Sequence, residues 1–400
     1  MIRRKSLKKS IAASAVAGAV VFSFMFTQPA AAHDSEEGDG GHIIPHEIGK
    51  LNISGGITSI LQGTSGVPNN NDVTDFTYTL DLNFEAVISP HGKVIVALEA
   101  GNGTGVNDIN GTGYFLSIPN YDAYVTETAS VTTVSVSQAY YEAEYLDGFL
   151  GVAAGKLDVH SLYDENAYAN DETDQFISGI FTRYPGSLFT ELDSYYAPGI
   201  ALTVNPSDTL EFRLIGANGS GTGFEDIFDN GYMVAHVGVM PKLLGREGHY
   251  HFHVIYDARN YTDISDPTKT YETNTAFGLS FDQEVSDGIG LFARYGVMDD
   301  GIDENLVKSA ISGGVSLSGS LWNRENDVVG IAAGVLAINE DSSSSVAANP
   351  DDESHFEVYY KLGFSEHFTL TPDLQVVTNA GGDADNDTIT VYGLRAQMNF

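Results

Sequence analysis

The chain has 400 residues, a formal net charge of −35 and no cysteine. The missing thiols exclude disulfides, thiolate metal sites and a cysteine nucleophile, and so acidic a surface repels nucleic acid and other polyanions.

The opening MIRRKSLKKS carries five cations, the apolar run IAASAVAGAVVFSFMF follows, and Ala30-Ala31-Ala32 supplies small residues for cleavage. This order predicts a secretory signal peptide over 1–32, because the apolar run is shorter than the roughly 20 residues a membrane helix needs. Removing Arg3, Arg4, Lys5, Lys8 and Lys9 with it would take the charge from −35 to −40. Residues 33–49 are acidic, glycine-containing and without period, which predicts a flexible lead whose His33, His42 and His46 are solvated. No composition shift divides residues 50–400, and no later apolar run is long enough for a membrane helix. A membrane location would therefore require a closed β-barrel, the other structure that satisfies every backbone hydrogen bond in lipid.

From Leu51 the hydrophobic period becomes two. In DFTYTLDLNFEAVI, Tyr78, Leu80, Leu82, Phe84, Ala86 and Ile88 share one face, while Thr77, Thr79, Asp81, Asn83 and Glu85 share the other. Successive side chains of a strand point to opposite faces, so the segment has one apolar and one wet surface. The pattern predicts strands over 51–61, 75–88, 92–101, 133–146, 149–157, 196–205, 208–218, 231–241 and 248–258. It continues over 272–285, 288–298, 308–319, 326–338, 355–365, 368–378 and 388–400.

The links alternate. After even strands they are brief, as at Ser89-Pro90-His91, Asp147-Gly148, Pro206-Ser207 and Ser286-Asp287; after odd strands they include 62–74, 102–132, 158–195, 259–271 and 339–354. An even strand number with short turns at one end and long loops at the other is the form of an outer-membrane barrel. The predicted fold is therefore an all-β, transmembrane antiparallel barrel of 16 strands with long outer loops. The terminal Phe400 and the 21 tyrosines suit an aromatic C-terminal strand and an interfacial girdle.

The polar face supplies candidates for a wet lumen: Asp81, Glu85, Lys93, Glu99, Glu211, Arg213, His249, His251, His253, Arg294, Asp327, Glu357, Lys361, Asp373 and Arg395. Their mixed signs argue against a strongly anion-selective pore. His249, His251 and His253 alternate along one strand, about 7 Å apart, and would need a second strand to hold a metal. They predict a protonatable lumen wall instead. No nucleophile elbow or H-E-x-x-H helix is present, so no catalytic residue, metal or cofactor is assigned.

The stretch from Gly155 to Gly199 is too long and polar for an ordinary connection. DENAYANDETDQF mixes carboxylates, amides and aromatics, which can bond sugar hydroxyls and stack on sugar rings. Its length and its place after the fifth strand predict an inward-folded constriction loop.

GKLD followed by DENAYAND, QF and YYAPG resembles the OprB-type carbohydrate-selective porins, as do IGLFARYGVMDDG, GSLWNRENDVVGIAAG and the two-part end HFEVYYKLGFSEHFTLTPDLQVVTNAGG and DTITVYGLRAQMNF. The resemblance covers most of 140–400 and is weaker over 51–140. It implies an outer-membrane barrel through which sugars diffuse passively past an inward loop. It places Lys156 and Asp158 near the wall, and Asp164, Glu165, Asn166, Asn170, Asp171, Glu172 and Gln175 in the constriction. Arg294 lies in its FARYG block; Trp322, Arg324, Asn326 and Asp327 lie in its WNRxND block, where Trp322 and Arg324 are read as structural and the lone tryptophan as an inner-interface anchor. Together with the wall residues Glu211 and Arg213, the loop residues and Arg294 are the expected solute contacts.

The expected function is thus passive diffusion of small hydrophilic solutes, carbohydrates foremost, through a barrel whose partners are the lipid bilayer and the permeant. Homo-oligomers are compatible with it. The acidity keeps a general or cation-preferring porin as an alternative, and a barrel that sheathes a partner such as a redox protein as another.

Overall fold

The computed structural model describes residues 51–107, 115–128, 133–183, 196–220, 230–243, 245–271, 273–343, 347 and 349–400. The predicted signal peptide, the acidic lead with its three histidines, and 184–195 of the predicted constriction loop lie outside them.

Sixteen strands close a single antiparallel ladder. They are β1 (Leu51–Ser65), β2 (Thr74–Val87), β3 (Gly92–Asn102), β4 (Ser135–Tyr145), β5 (Leu150–Asp158), β6 (Tyr196–Ser207), β7 (Leu210–Asn218) and β8 (Gly231–Val239). The second half comprises β9 (Arg246–Asp257), β10 (Asn274–Ser286), β11 (Ile289–Met298), β12 (Val307–Ser318), β13 (Val328–Ile338), β14 (Glu353–Ser365), β15 (Phe368–Thr378) and β16 (Ile389–Asn399). Each pairs with its chain neighbours, and β1 closes the ring on β16 from Gly56↔Asn399 to Ser65↔Thr390. Closure leaves no unpaired edge for lipid to meet, which is why the sheet can cross a bilayer. A two-residue arm, Lys242–Leu243, folds back on Arg246 and Glu247 in the β8–β9 turn.

The predicted strands agree with these to within about four residues at each boundary. β1 differs most, running on to Ser65 because Thr64 N–H bonds the Val73 carbonyl and prolongs the hairpin beyond the expected turn.

Alternation sets the two faces. In β7, Phe212 and Leu214 are 43% and 61% exposed on the outer face, whereas Ile215 is buried. Inside, the barrel is largely filled. Phe176, Ile177, Ile180 and Phe181 of the segment after β5 are fully buried, and Phe176, Ile180 and Phe181 cluster with Phe292 of β11, Tyr359 of β14 and Leu336 of β13. The Phe176 ring meets Tyr359 edge-on at 4.9 Å and Phe292 at 5.4 Å. The hydrophobic core thus lies in the lumen, between an inward segment and the strand wall.

A second segment also folds inward. The link after β3, expected as an ordinary outer loop, brings 115–128 into the lumen and forms the helix α1 (Tyr121–Thr128). Its N-terminus is capped by Asn120, whose Oδ1 accepts from Ala123 N–H. Pro119 is held from both sides, its carbonyl accepting from Gln62 of β1 and Gln375 of β15.

Candidate functional site: the lumen constriction

The chain leaves β5 at Asp158, whose carboxylate accepts from the N–H and hydroxyl of Ser161 and so starts a short 3-10 turn over His160–Leu162. The segment then crosses the lumen along β7 to β11. Leu162 offers its carbonyl to Arg213 of β7, and Arg213 also holds Glu211 at 2.9 Å and Glu165 at 3.5 Å. Asp164 meets Arg294 of β11 at 3.0 Å, and Arg294 further donates to the carbonyls of Ala169 and Phe181 and to Asn170 Oδ1. Asn166 donates to the Ser280 hydroxyl on β10.

The lowest part lies over β14 to β16. Arg395 donates to the carbonyls of Glu172 and Gln175, Gln397 to the Thr173 hydroxyl, and Lys361 pairs with Asp174 at 2.6 Å. Gln175 closes the turn internally, accepting from Asn170 and Asp171 N–H and donating to the Ala167 carbonyl. A cavity of about 460 Å³ lies beneath, lined by Asp171, Asp174, Lys361 and Gln397.

The expected solute contacts therefore separate into three groups. Asp164, Asn166 and Arg294 are buried, and Asn170 and Gln175 bond within the loop or to its anchors, so these five build the constriction's frame. Glu211 and Arg213, with side chains 15% and 13% exposed, are mostly used up, on each other and, for Arg213, on the Leu162 carbonyl and Glu165. Asp171 and Glu165 are exposed, and Asp158 and Glu172 are partly so, which leaves these four with surface to offer a solute. Burying a carboxylate requires a partner, and the wall supplies a cation only to some of the loop's acids.

The expected wet histidine wall is also corrected. His251 and His253 are buried behind the inward segment; His251 stacks on His236 of β8 with Nε2 and Nδ1 3.0 Å apart, and His253 lies 5.0 Å from the Tyr163 ring. Only His249 keeps appreciable exposure, its Nδ1 2.7 Å from Asp282. Among the described residues no group of three or more histidines and carboxylates is arranged to hold a metal ion. Asp327, expected in the lumen, instead locks a short turn, accepting from Arg324, the Tyr360 hydroxyl at 2.6 Å and Gly363 N–H at 3.1 Å. That Arg324 pairing lowers its carboxyl to about 2. Glu357, Asp373 and Arg395 are buried as well, as supports of the inward segment or of one another.

The open side of the lumen lies along the short-turn half of β2 to β4; beyond it α1 packs on β2 through Asp122 and Thr126 against Thr79, and Thr77, Thr79 and Glu99 are buried. Asn83 is exposed, and Lys93 lies between Glu85 at 2.9 Å and Glu142 at 3.6 Å, all three side chains at least a third exposed. Lys93 and Glu142 also line a cavity of about 520 Å³ at the short-turn end. Facing this wall, Glu172 is raised to about 7, chiefly by burial, with Arg183 opposing and Asp171 adding to the shift. Asp122 of α1 is held well above the usual carboxylate range by burial, with further elevation from Glu172, Asp81 and Glu99 despite its bond from the Thr79 hydroxyl. Carboxylates of the wall and of both inward segments thus converge on one side of the passage. Glu142 was missed, although the alternation in SQAYYEAEY puts it on the polar face; Arg183 lies in the stretch expected to fold inward but beyond its acidic run, and Asp122 lies in a link that nothing local marks as inward.

The matches with known proteins agree with this architecture. Residues 69–400 match the model of the carbohydrate-selective porin, OprB family. Porin AaxA of Chlamydia felis is 26% identical over 273 residues, 67% of this chain and 59% of the relative; its Chlamydia pneumoniae counterpart is 23% identical over 273 residues, covering 66% and 59%. The chain thus spans about three fifths of the length of these relatives. Among solved structures, Pseudomonas putida OprB superposes with a TM-score of 0.76 at 17% identity, over 88% of this chain and 94% of the other. The outer-membrane channel DcaP of Acinetobacter baumannii gives 0.55 at 13% identity, over 88% and 97%. The structures speak for the fold, a closed outer-membrane barrel, and the family match extends over most of its strands: the chain belongs to the carbohydrate-selective porin, OprB family.

Proposed function

We propose that the protein is a porin through which small hydrophilic solutes, carbohydrates foremost, diffuse down their gradients without cofactor or chemistry. The observation that carries this reading is the inward segment after β5: it packs on β7 to β16 and leaves hydrogen-bonding side chains of β2 to β4 open to the lumen toward the short turns. A lumen of this kind replaces a solute's water by donors and acceptors at its narrow point. Asp158, Asp171 and Glu172 are the loop residues that would touch the permeant there, with Asn83, Glu85, Lys93 and Glu142 opposite, while Glu165 lies by Arg213 of β7.

A cation-preferring pore is the second reading, favoured by one observation. Asp122 of α1, seated on Thr79 of β2, has the carboxyls of Glu172, Asp81 and Glu99 around it, while Lys93 is flanked by two glutamates.

Single-channel recording of the refolded protein in planar bilayers, titrated with mono- and oligosaccharides beside D171N/E172Q, tests both. Saturable block by sugar that weakens in the variant supports the carbohydrate pore. Open conductance with cation preference and no effect of sugar supports the second reading, and a silent protein overturns both.

A further inference from the structure

Two carboxylates of β14 grip the two inward segments by the same geometry. Glu353 and Glu357 are fully buried. Glu353 accepts from Leu116 and Ser117 N–H at 3.0 and 2.8 Å, and also from Gly381 N–H at 2.7 Å. Glu357 accepts from Ile177 and Ser178 N–H at 2.7 and 3.1 Å. Two successive N–H groups aimed at one carboxylate make an anion-binding concavity, and residues four apart on a strand share a face. Between the two clamps, His355 Nδ1 lies 2.7 Å from the Ser117 hydroxyl; beyond them Tyr359 meets Phe176 and Lys361 meets Asp174.

The two segments are also bonded to each other. Tyr121 N–H donates to the Ile177 carbonyl at 3.0 Å, Gly179 N–H to Ile118 at 2.9 Å, and Ile180 N–H to Ser117 at 3.2 Å, while the Ser178 hydroxyl donates to the Ser117 carbonyl at 2.8 Å. Neither segment can leave β14 alone without breaking its bonds to the other.

We propose that Glu353 and Glu357 are positioning residues of the constriction: 115–128 and 158–183 form one plug, these two carboxylates dock both halves of it on β14 beside the Arg294 and Arg395 anchors, and the docked plug sets the aperture. The proposal rests on the porin reading for its conductance test. A carboxylate is required because its two oxygens accept both amides at once. A glutamine turns one acceptor into a donor aimed at an N–H, which leaves a buried amide unpaired and shifts the docked-to-released ratio about ten-fold or more.

The test compares E353Q and E357Q with the unaltered protein in planar bilayers, after a gel assay of heat-modifiable migration has shown a folded barrel. Each variant is expected to flicker to a higher-conductance level, visited about ten-fold more often than in the unaltered protein. Because the chain has no cysteine, D174C/K361C can be placed in the E357Q background and bridged by a short bis-methanethiosulfonate reagent. Bridging should return conductance to the unaltered value, and reductant should reverse it. Folded E353Q and E357Q barrels with unaltered conductance overturn the proposal.

Should the variants fail to fold, hydrogen exchange of the unaltered barrel decides. The amides of Leu116, Ser117, Ile177 and Ser178 should open as one unit with matching protection; protection of one pair lower by ten-fold or more overturns the single plug. A protein that conducts nothing but shows matched exchange overturns the porin reading and leaves the plug standing.

Discussion

The guanidinium of Arg294 and the carboxylate of Asp164, 130 positions apart in the chain, meet at 3.0 Å with neither side chain exposed. Arg294 spends its other donors on the Ala169 and Phe181 carbonyls and on Asn170, so one wall residue holds three turns of the inward segment. Removing one partner of a buried pair costs about 3–5 kcal/mol, because the other charge stays buried. R294M should therefore free the segment, and D164N, which keeps an acceptor oxygen and spares the other three bonds, should do so less. Limited proteolysis between 158 and 183 checks the order; equal protection of both variants would contradict it.

Glu172 gives the passage a pH dependence whose sign is fixed. Burial raises its carboxyl to about 7, so it is charged above that pH and neutral below. Cation preference, read as reversal potential under a salt gradient, should fall as pH drops from 8 to 6 in the unaltered protein. In E172Q the step over that interval should shrink.

The outward face tolerates no charge. Leu214, 61% exposed at the middle of β7, stands between Leu202 and Ala235 on its neighbours. L214R should destabilise the folded barrel by about 2–4 kcal/mol, the cost of a cation at mid-bilayer. Urea titration of folding into lipid vesicles measures it, with L202R as a second probe of the same face.

Two glycines separate a rigid contact from a yielding one. A Cβ on Gly330 would stand 2.1 Å from the Tyr359 ring and 2.9 Å from Phe176, both buried in the aromatic cluster; one on Gly290 would stand 2.1 Å from Tyr168, which is only half-buried. G330A should cost about 1–3 kcal/mol, as overpacking in a closed core does, whereas G290A should cost under about 1 kcal/mol because Tyr168 can swing. The same vesicle titration ranks them.

What the sequence determined by itself was the barrel. A strand's side chains alternate with period two, and lipid on one side against water on the other forces that period into the residue order, so DFTYTLDLNFEAVI and its counterparts declared both the strands and their faces. Alternating short and long links added the antiparallel, even-numbered order, and the length and polarity of 158–195 marked a segment with a task.

Tertiary structure decided which charges work and which are sealed. Asp164 and Asp171 stand seven residues apart in one acidic run, yet the first is buried on Arg294 and the second faces open space. No local pattern distinguishes them, because the partner that makes the difference comes from a strand more than a hundred residues away. The same reason hid the inward course of 115–128: two of its anchors, Glu353 and Gln375, belong to strands over 200 residues later, and such pairings exist only once the ring has closed.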